Sequence, residues 1–441
     1  MNRSDRRMGF VWVALFILFA LAPLIFMLVG ERPMGREFLR ELSVAFGFVG
    51  IGLMTLHFVL TARITAVKAP FGADVVYHFH HRIAFTTLAL WLAHPIVLFI
   101  WFPWSRRLLN LATAPWRARW GVLSVAFILV LMLFSVARRT LRLEYVFWRI
   151  THGLMAVVAM VMVLTHAYMV GNHIGTPLKQ GLWLGYGGIS ILLVAYLRLY
   201  KPWRMLQRPY HVTEIRPQHG AVWSLRLEPV NHEGMRFQPG QFAWLTAWRS
   251  PFAAHEHPFS FSSSSEETGT IEFAIKELGD FTATISRLES GQHVYVDGPY
   301  GSFSPDRFTD YDTLMLIAGG VGIAPIMSIL RTMADRNDQT PVTLLYGSQS
   351  WAMASFREDL SELDKILNLN VVHLLEQPPE DWEGEVGYVT REILERYMPD
   401  SSQNYRVFIC GPTGMLNAVE GTLLEMDVPE SLIHMERFDL A

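Results

Sequence analysis

Long apolar runs separate the first two hundred residues of this chain from the rest. Six runs are each about 20 residues long, which is enough to cross a bilayer as a helix. We predict spans over residues 10–30, 39–62, 78–102, 119–137, 147–170 and 181–200. Residues 208–441 instead have the charges and turn residues of an ordinary soluble protein. The sequence therefore predicts a membrane half followed by a globular half.

The first apolar run follows a short basic segment, residues 3–7, and so resembles a signal peptide. Because no clear small-residue cleavage site follows it, we favour an uncleaved first helix. The single cysteine, Cys410, excludes an intrachain disulfide framework and a cysteine-rich metal or iron–sulfur site. The net charge of −3 suggests no particular partner, and no basic stripe with interleaved aromatic residues indicates nucleic acid.

Histidines within the apolar runs carry the strongest chemical signal. His80 and His94 are fourteen residues apart in the third run, and His152 and His166 have the same separation in the fifth. Two side chains that are fourteen residues apart in a helix point within about 40° of the same direction and lie about 21 Å apart along the axis. Two helices that run in the same direction would therefore form two stacked histidine pairs. Haem iron accepts such axial imidazoles, so we predict two bis-histidine haem sites.

Two alternatives stay open for these histidines. A histidine in a membrane helix often only forms hydrogen bonds between helices. His81 could be the haem ligand instead of His80. However, His81 and His94 are thirteen residues apart, so their side chains would point about 140° away from each other around the helix. We interpret His57, His78 and His173 as interfacial or packing residues, since none has a partner at the fourteen-residue spacing.

Short alternating segments from Tyr210 to about Asp306 predict an antiparallel β-barrel. Within it, the segment HPFS combines an aromatic ring, which could cover an isoalloxazine, with a hydroxyl for its polar edge; a strand beside a serine-rich loop explains it equally well. The segment KELGDFT is typical of a turn that enters a helix, where free N–H groups suit a pyrophosphate. The predicted flavin-binding residues are His257, Pro258, Phe259, Ser260, Ser263, Lys276, Gly279, Phe281 and Thr282.

From about Tyr311 the pattern alternates between strand and helix, which predicts a doubly wound domain with its site at the carboxyl ends of parallel strands. A glycine-rich turn in TLMLIAGGVGIAPIMSIL would let N–H groups approach a phosphate, although many apolar strands end in paired glycines for packing alone. The predicted nucleotide-binding residues are Gly319, Gly320, Val321, Gly322, Ile323, Ser348, Cys410, Gly411 and Pro412. We place the domain boundaries at 1–205, 206–306 and 307–441.

In order and spacing, these motifs resemble the bacterial NADPH oxidase and ferric reductase family of transmembrane flavocytochromes. That family joins a ferric reductase-like membrane domain to a ferredoxin reductase-like module, and the match extends from about residue 40 to the end. HPFS, KELGDFT, AGGVGIAP and CGPTGM resemble its flavin and nucleotide segments. The terminal Glu436, Arg437 and Phe438 resemble its C-terminal aromatic segment. The resemblance implies that Phe438 and Cys410 take part at the nicotinamide, Phe438 by covering the flavin.

The resemblance implies FAD, two haem b groups, and NADPH or NADH as the electron donor. It also implies a protein of the bacterial inner membrane with both termini cytoplasmic. The acceptor on the far side would be oxygen, giving superoxide. The alternatives are a ferric-chelate reductase, an electron-supplying subunit for a partner protein and a haem-free sensor; the chain could also form a homo-oligomer. Three departures matter. Gln349 replaces an arginine that holds the 2′-phosphate of NADPH, Leu98 replaces a histidine near the oxygen site, and the sequence has no EF-hand calcium loop or extended N-terminal regulatory segment.

Overall fold

The computed structural model describes residues 3–30, 35–64, 73–138, 140–400 and 402–437, with the side chains of residues 3–8 and 73–75 left aside. The chain divides into two compact units. One unit contains residues 6–68 and 75–201, and the other contains residues 202–441 with two short segments from the N-terminal part.

The first unit is a bundle of long apolar helices. Within the described residues, six helices are long and apolar enough to cross a membrane, and this confirms the predicted number of spans. The six helices are α1 (Arg3–Leu28), α2 (Phe38–Thr61), α3 (Ala73–Trp101), α4 (Trp116–Val136), α5 (Tyr145–Val170) and α6 (Pro177–Ala195). A π-helical turn, Tyr196–Tyr200, joins α6 to the short helix α7 (Lys201–Leu206).

Large apolar side chains cover the outside of this bundle. Leu133, Leu154 and Leu184 are 62%, 64% and 71% exposed. Exposing many such side chains to water is unfavourable by about 25 cal/mol for each Å² of apolar surface, whereas the lipid interior accepts them. The exposed surface therefore supports the assignment of a membrane protein.

The second unit begins with a six-stranded antiparallel sheet in the order β4-β3-β6-β1-β2-β5. An additional bridge between Phe261 and Phe273 connects its two edges, so the sheet closes into a barrel. The strands are β1 (Tyr210–Gln218), β2 (Val222–Pro229), β3 (Phe242–Thr246), β4 (His257–Ser260), β5 (Ile271–Lys276) and β6 (His293–Tyr300).

A parallel sheet in the order β10-β9-β8-β7-β11-β12 follows the barrel. Its strands are β7 (Thr313–Gly319), β8 (Val342–Ser348), β9 (Leu369–Leu375), β10 (Glu385–Val386), β11 (Tyr405–Cys410) and β12 (Ile433–Glu436). Its helices are α8 (Ile323–Asp335), α9 (Arg357–Asp364), α10 (Arg391–Tyr397) and α11 (Thr413–Glu425). Separate apolar clusters cover the two faces of this sheet. The arrangement confirms the predicted fold class.

Candidate functional site

Helices α3 and α5 bring the four predicted histidines together as two pairs. The ring centroids are 6.4 Å apart for His80 and His152, and 6.3 Å apart for His94 and His166. A metal–imidazole bond is about 2 Å long and the ring centre lies about 1.1 Å beyond the nitrogen, so two imidazoles on opposite sides of one ion have centroids about 6.3 Å apart. Both pairs therefore have the separation that a bis-histidine haem requires.

In the pair formed by His94 and His166, backbone carbonyls orient both rings. His94 Nδ1 donates to the Ser43 carbonyl at 2.9 Å, and the Ser43 hydroxyl donates to the His94 carbonyl at 2.8 Å. His166 Nδ1 donates to the Arg117 carbonyl at 2.7 Å. A neutral imidazole that donates from Nδ1 presents the lone pair of Nε2, which is the form that binds a metal.

Side chains orient the rings of the other pair. His152 Nδ1 lies 2.9 Å from the Ser135 hydroxyl, which itself donates to the Leu131 carbonyl at 2.8 Å. The Ser135 oxygen must therefore accept from His152. His80 Nδ1 lies 3.0 Å from His57 Nδ1. In the part of the chain that the structure describes, Nδ1 of all four histidines has a partner, and Nε2 of none of them does.

His57, which we interpreted as an interfacial or packing residue, is the partner of His80 Nδ1 and lies 3.1 Å from the Thr87 hydroxyl. An ionisable side chain within an apolar span is costly and usually functional. His81 is exposed, and its ring packs edge-on against Phe85 at 5.3 Å. The structure thus pairs His80, and not His81, with His152.

A glycine makes room for one of these rings. A Cβ atom on Gly121 would lie 2.8 Å from the ring of His166, which is closer than Cβ atoms approach other atoms in proteins. Gly121 stands four residues after Arg117, whose carbonyl accepts from the same ring. The α4 backbone therefore lies directly against His166.

In the barrel, the two predicted flavin segments lie side by side. The rings of His257 and Phe281 stack with centroids 3.9 Å apart, and the ring of Phe259 lies parallel to Phe281 at 6.1 Å. The hydroxyl of Ser260 is buried and has no hydrogen-bond partner among the described residues. A buried hydroxyl without a partner is costly, so it fits a cofactor that supplies the missing acceptor or donor. Pro258 lies within the same strand.

Ser263, Gly279 and Thr282, which are also predicted flavin residues, already form hydrogen bonds within the protein. The Ser263 hydroxyl accepts from the Glu272 N–H at 3.0 Å. The Thr282 hydroxyl accepts from the N–H groups of Leu278 and Gly279, and the following helix is a 3₁₀ helix, Thr282–Arg287. These two N–H groups are therefore less free for a pyrophosphate than the motif suggested. Lys276 is half-buried at the end of β5.

The two predicted nucleotide turns meet at the carboxyl ends of β7 and β11, which are paired neighbours. A Cβ atom on Gly322 would lie 2.2 Å from the Cys410 carbonyl oxygen, and one on Gly411 would lie 3.1 Å from the Gly319 nitrogen. Gly320 has φ +55° and nothing within 4 Å of a Cβ position. Glycine therefore permits both the close contact of the turns and an open backbone at their tip, where a dinucleotide phosphate binds in such folds. Val321 and Ile323 pack into the core. Pro412, which precedes α11, lies against Gly319, where a Cβ atom would be 3.0 Å from its Cδ.

Cys410 is fully buried at the end of β11. Burial raises the pKa of its thiol, and the nearby Glu436 carboxylate raises the pKa further. Cys410 therefore stays protonated, so any role at the nicotinamide rests on packing or on its S–H group. Phe438 lies outside the described residues, and its role as a flavin cover stays a prediction.

At the end of β8, the family that this chain resembles has an arginine that holds the 2′-phosphate of NADPH. The residues of this chain at that place offer the phosphate little charge. Ser348 is buried at the end of β8, and Gln349 beside it is exposed. Arg357 could have compensated for the missing arginine, but its Nε donates to Glu358 at 2.9 Å and one terminal nitrogen donates to the Trp351 carbonyl. Arg357 is the main cause that lowers the pKa of Glu358 to about 2, so this carboxylate is charged at neutral pH.

A buried ion pair joins the barrel to the nucleotide-binding domain. Arg331 of α8 donates to Glu272 of β5 at 2.8 Å, to the Ser262 carbonyl at 2.9 Å and to Asp359 at 2.6 Å. Glu272 is 2% exposed. Burial by itself would raise the pKa of Glu272, but Arg331 and neighbouring hydroxyls outweigh it and lower the pKa. Ser262 is the second residue after the HPFS segment, which ends at Ser260. Arg331 therefore connects α8 to the flavin segment.

Three successive segments of the chain match known protein families. Residues 46–163 match the ferric reductase like transmembrane component, residues 214–304 an FAD-binding domain and residues 316–421 an oxidoreductase NAD-binding domain. In these three segments the chain is similar to a ferric reductase-like transmembrane oxidoreductase. Its FAD-binding and NAD-binding segments correspond to the barrel and to the parallel sheet.

Among the curated relatives of this chain are two NADH-cytochrome b5 reductases. NADH-cytochrome b5 reductase 2 of Phaeosphaeria nodorum is 30% identical over 205 residues, which are 44% of this chain and 59% of the relative. The protein of the same name from Coccidioides immitis is 31% identical over 187 residues, 41% of this chain and 57% of the relative. The chain thus spans less than three fifths of the length of these relatives.

Solved structures with similar coordinates include the cytochrome b5 reductase domain of Ulva prolifera nitrate reductase. It is 20% identical with a TM-score of 0.46, over 52% of this chain and 96% of that one. Another is the flavohemoglobin from Malassezia yamatoensis, at 19% identity and a TM-score of 0.48, over 91% of this chain and 96% of that one.

Proposed function

We propose that this oxidoreductase transfers electrons from NADH or NADPH, through FAD and two haem b groups, to an acceptor on the far side of a membrane. The proposal rests on one observation: helices α3 and α5 form two histidine pairs, whose ring centroids are 6.4 and 6.3 Å apart. Hydrogen bonds at all four Nδ1 atoms prepare Nε2 for a metal. Helices that only packed through histidine hydrogen bonds would need neither feature.

Each part of the chain has a separate task in this proposal. The Ser260 hydroxyl and the aromatic rings around Phe281 hold the flavin, and the turns at Gly320 and Gly411 hold the nucleotide phosphates. His80 with His152, and His94 with His166, hold the haems. When bound, FAD accepts a hydride and releases single electrons, which haem iron can carry one at a time.

We infer the direction of transfer from the number of spans. Six spans put both termini on the same side, and a domain that uses cellular nucleotide needs the cytoplasm, so we place both termini there, in a bacterial inner membrane. The pair formed by His80 and His152 lies at the ends of α3 and α5 that are nearest the cytoplasm. The pair formed by His94 and His166 lies about 21 Å further along the helices, where it can reduce an acceptor outside.

A direct test uses the purified protein with added FAD in sealed vesicles. We expect NADH outside to reduce an acceptor trapped inside when the nucleotide-binding domain faces outward. We expect NADH to work at least as well as NADPH, because Arg357 is already paired and the curated relatives are named for NADH. No reduction of the trapped acceptor, with the flavin fully reduced, would contradict the proposal. A preference for NADPH above about a hundredfold, or nearly 3 kcal/mol, would contradict the nucleotide assignment.

Oxygen, giving superoxide, is the first acceptor that we propose, and sensitivity of dye reduction to superoxide dismutase tests it. One observation favours a ferric chelate as a second candidate. The end of the bundle near His94 and His166 is strongly basic, although arginine and lysine usually accumulate on the cytoplasmic side. Described residues 35–41, 102–119 and 171–179 contain two carboxylates, Glu37 and Glu41, and six arginines that are at least partly exposed: Arg36, Arg40, Arg106, Arg107, Arg117 and Arg119. Lys179 in the same segments is buried.

Two of these arginines belong to the segments that hold the histidine pair. The carbonyl of Arg117 accepts from His166, and Arg40 stands one helical turn before Ser43, which binds His94. Such a surface would attract an anionic chelate and hold it near the last haem. The reaction balances as one NADH and two ferric chelates giving NAD⁺, one proton and two ferrous chelates.

Removing positive charge from this end should weaken only anionic acceptors. Arg107→Gln combined with Arg117→Gln is expected to raise the KM for ferricyanide about fivefold to tenfold, since each exposed charge contributes up to about 1 kcal/mol. The KM for the cation hexaammineruthenium(III) should fall or stay constant. Arg142→Gln, in the exposed loop at the opposite end, is the matched control and should change neither value. Equal effects on both acceptors would contradict a role for charge.

A further inference from the structure

His57 occupies a place in the bundle that packing does not explain. It stands on α2 and contacts two residues of α3, His80 and Thr87. His80 and Thr87 are seven residues apart, which is two helical turns, so both lie on the same face of α3. The ring of His57 meets the ring of His80 nearly at a right angle, at 86°, which lets one nitrogen point at another.

The hydrogen bonds around His57 can run in one direction only. The Thr87 hydroxyl donates to the Ile83 carbonyl at 2.9 Å, so its oxygen is left to accept from His57 Nε2 at 3.1 Å. If Nε2 of a neutral His57 carries the hydrogen, its Nδ1 is an acceptor. His80 Nδ1 must then donate across the 3.0 Å contact. Every polar atom in this chain of bonds is satisfied, and Nε2 of His80 keeps its lone pair.

We propose that His57 and Thr87 are positioning residues that hold His80 in its metal-binding form and increase the basicity of its ring. This inference rests on the proposed function, because it needs a haem at the pair formed by His80 and His152. An imidazole that accepts a hydrogen bond from a ligand makes that ligand more electron-donating, which favours ferric over ferrous iron. His57 therefore lowers the midpoint potential of one haem and leaves the other unaffected.

The contrast with the second pair makes the effect specific. His94 and His166 have carbonyl acceptors on α2 and α4, and neither contacts His57. Changing His57 removes a partner from one of four ligands. A general loss of packing would instead disturb both haems.

Midpoint potentials of the intact, purified protein test the proposal, together with haem content. His57→Phe is expected to raise the potential of one haem, with the other unchanged and about two haems per chain retained. His57→Gln keeps an acceptor oxygen and should recover part of the shift. Thr87→Val removes the acceptor for His57 Nε2 and should give a smaller shift in the same direction. It also provides a second test if His57→Phe does not fold.

Each outcome has a separate meaning. Wild-type potentials for both haems in His57→Phe and Thr87→Val would overturn the positioning role and leave the proposed function intact. A wild-type protein that binds no haem would overturn the proposed function itself. Loss of one haem in His57→Phe but not in His80→Ala would make His57 the ligand, and would also overturn the proposal.

Discussion

The variant His94→Ala is expected to purify with about one haem b per chain, and the wild type with about two, because each haem needs both of its axial imidazoles. His166→Ala should give the same result, since these two rings face each other at 6.3 Å. Reduction of the flavin by NADH should persist in both variants, and reduction of a far-side acceptor should stop. Haem content by pyridine haemochrome and flavin absorbance measure the two effects.

The matched control for this experiment is His81→Ala. His81 stands beside a predicted ligand, but it is exposed and its ring lies against Phe85. This variant should keep both haems and full electron transfer. Two haems in His94→Ala, or the loss of one in His81→Ala, would show that the pairs have been assigned wrongly.

The second large effect concerns the stability of the second unit, which contains the barrel and the parallel sheet. Arg331→Gln is expected to lower its free energy of unfolding by about 3 kcal/mol, because a buried carboxylate without its cation typically costs about 3–5 kcal/mol. Arg216, at 3.5 Å from Glu272, remains and keeps the loss near the lower value. For a unit of this size the melting temperature should fall by about 10 °C, followed through the release of FAD fluorescence in the full chain.

Two comparisons make this expectation specific. Arg336→Gln removes an arginine near the end of the same helix that is 38% exposed in its side chain and pairs with Asp306 and Glu266. Exposed ion pairs contribute about 1 kcal/mol or less, so this control should change the melting temperature by only a few degrees. Adding Glu272→Gln to Arg331→Gln should restore much of the stability, since no charge then stays buried. Equal losses for Arg331→Gln and Arg336→Gln would contradict the argument.

The same pair predicts a dependence on pH. The pKa of Glu272 is lowered in the folded protein from its ordinary value of 4.5. A lowered carboxyl pKa contributes stability above the unfolded value, and this contribution is lost as the pH falls through the folded value. The contribution of Glu272 to the stability of the wild type should therefore be full at neutral pH and be lost as the pH falls below 4.5. In Arg331→Gln, burial without the arginine raises the pKa of Glu272 instead, so the difference in stability between wild type and variant should begin to shrink above pH 4.5.

Much of this architecture follows from local patterns. Apolar length predicts the six spans, and the equal spacing of His80 to His94 and His152 to His166 predicts which side chains face each other. The glycines at 319–322 predict a close turn because only glycine tolerates the contact that Gly322 makes with Cys410. In each case a period or a single residue type encodes the geometry.

The partners of these residues could not be predicted in the same way. Ser43, Arg117 and His57 reach the histidines from α2 and α4, and no repeat in the sequence connects one helix to another. The pair formed by Arg331 and Glu272 likewise depends on how α8 packs against β5. His57 was the one detectable signal, as an ionisable residue within a span.

The two histidine pairs differ in how easily a single substitution can remove the hydrogen-bond acceptors of their rings. The acceptors for His94 and His166 include main-chain carbonyls of residues 43 and 117, and a carbonyl is present whatever side chain the codon specifies. The acceptors for His152 and His80 are the side chains of Ser135 and His57. One point mutation can therefore remove the acceptor of a ring in the pair formed by His80 and His152, while the pair formed by His94 and His166 keeps its carbonyl acceptors. In the electron path that we propose, evolution or an engineer can therefore adjust the first histidine pair more easily than the second.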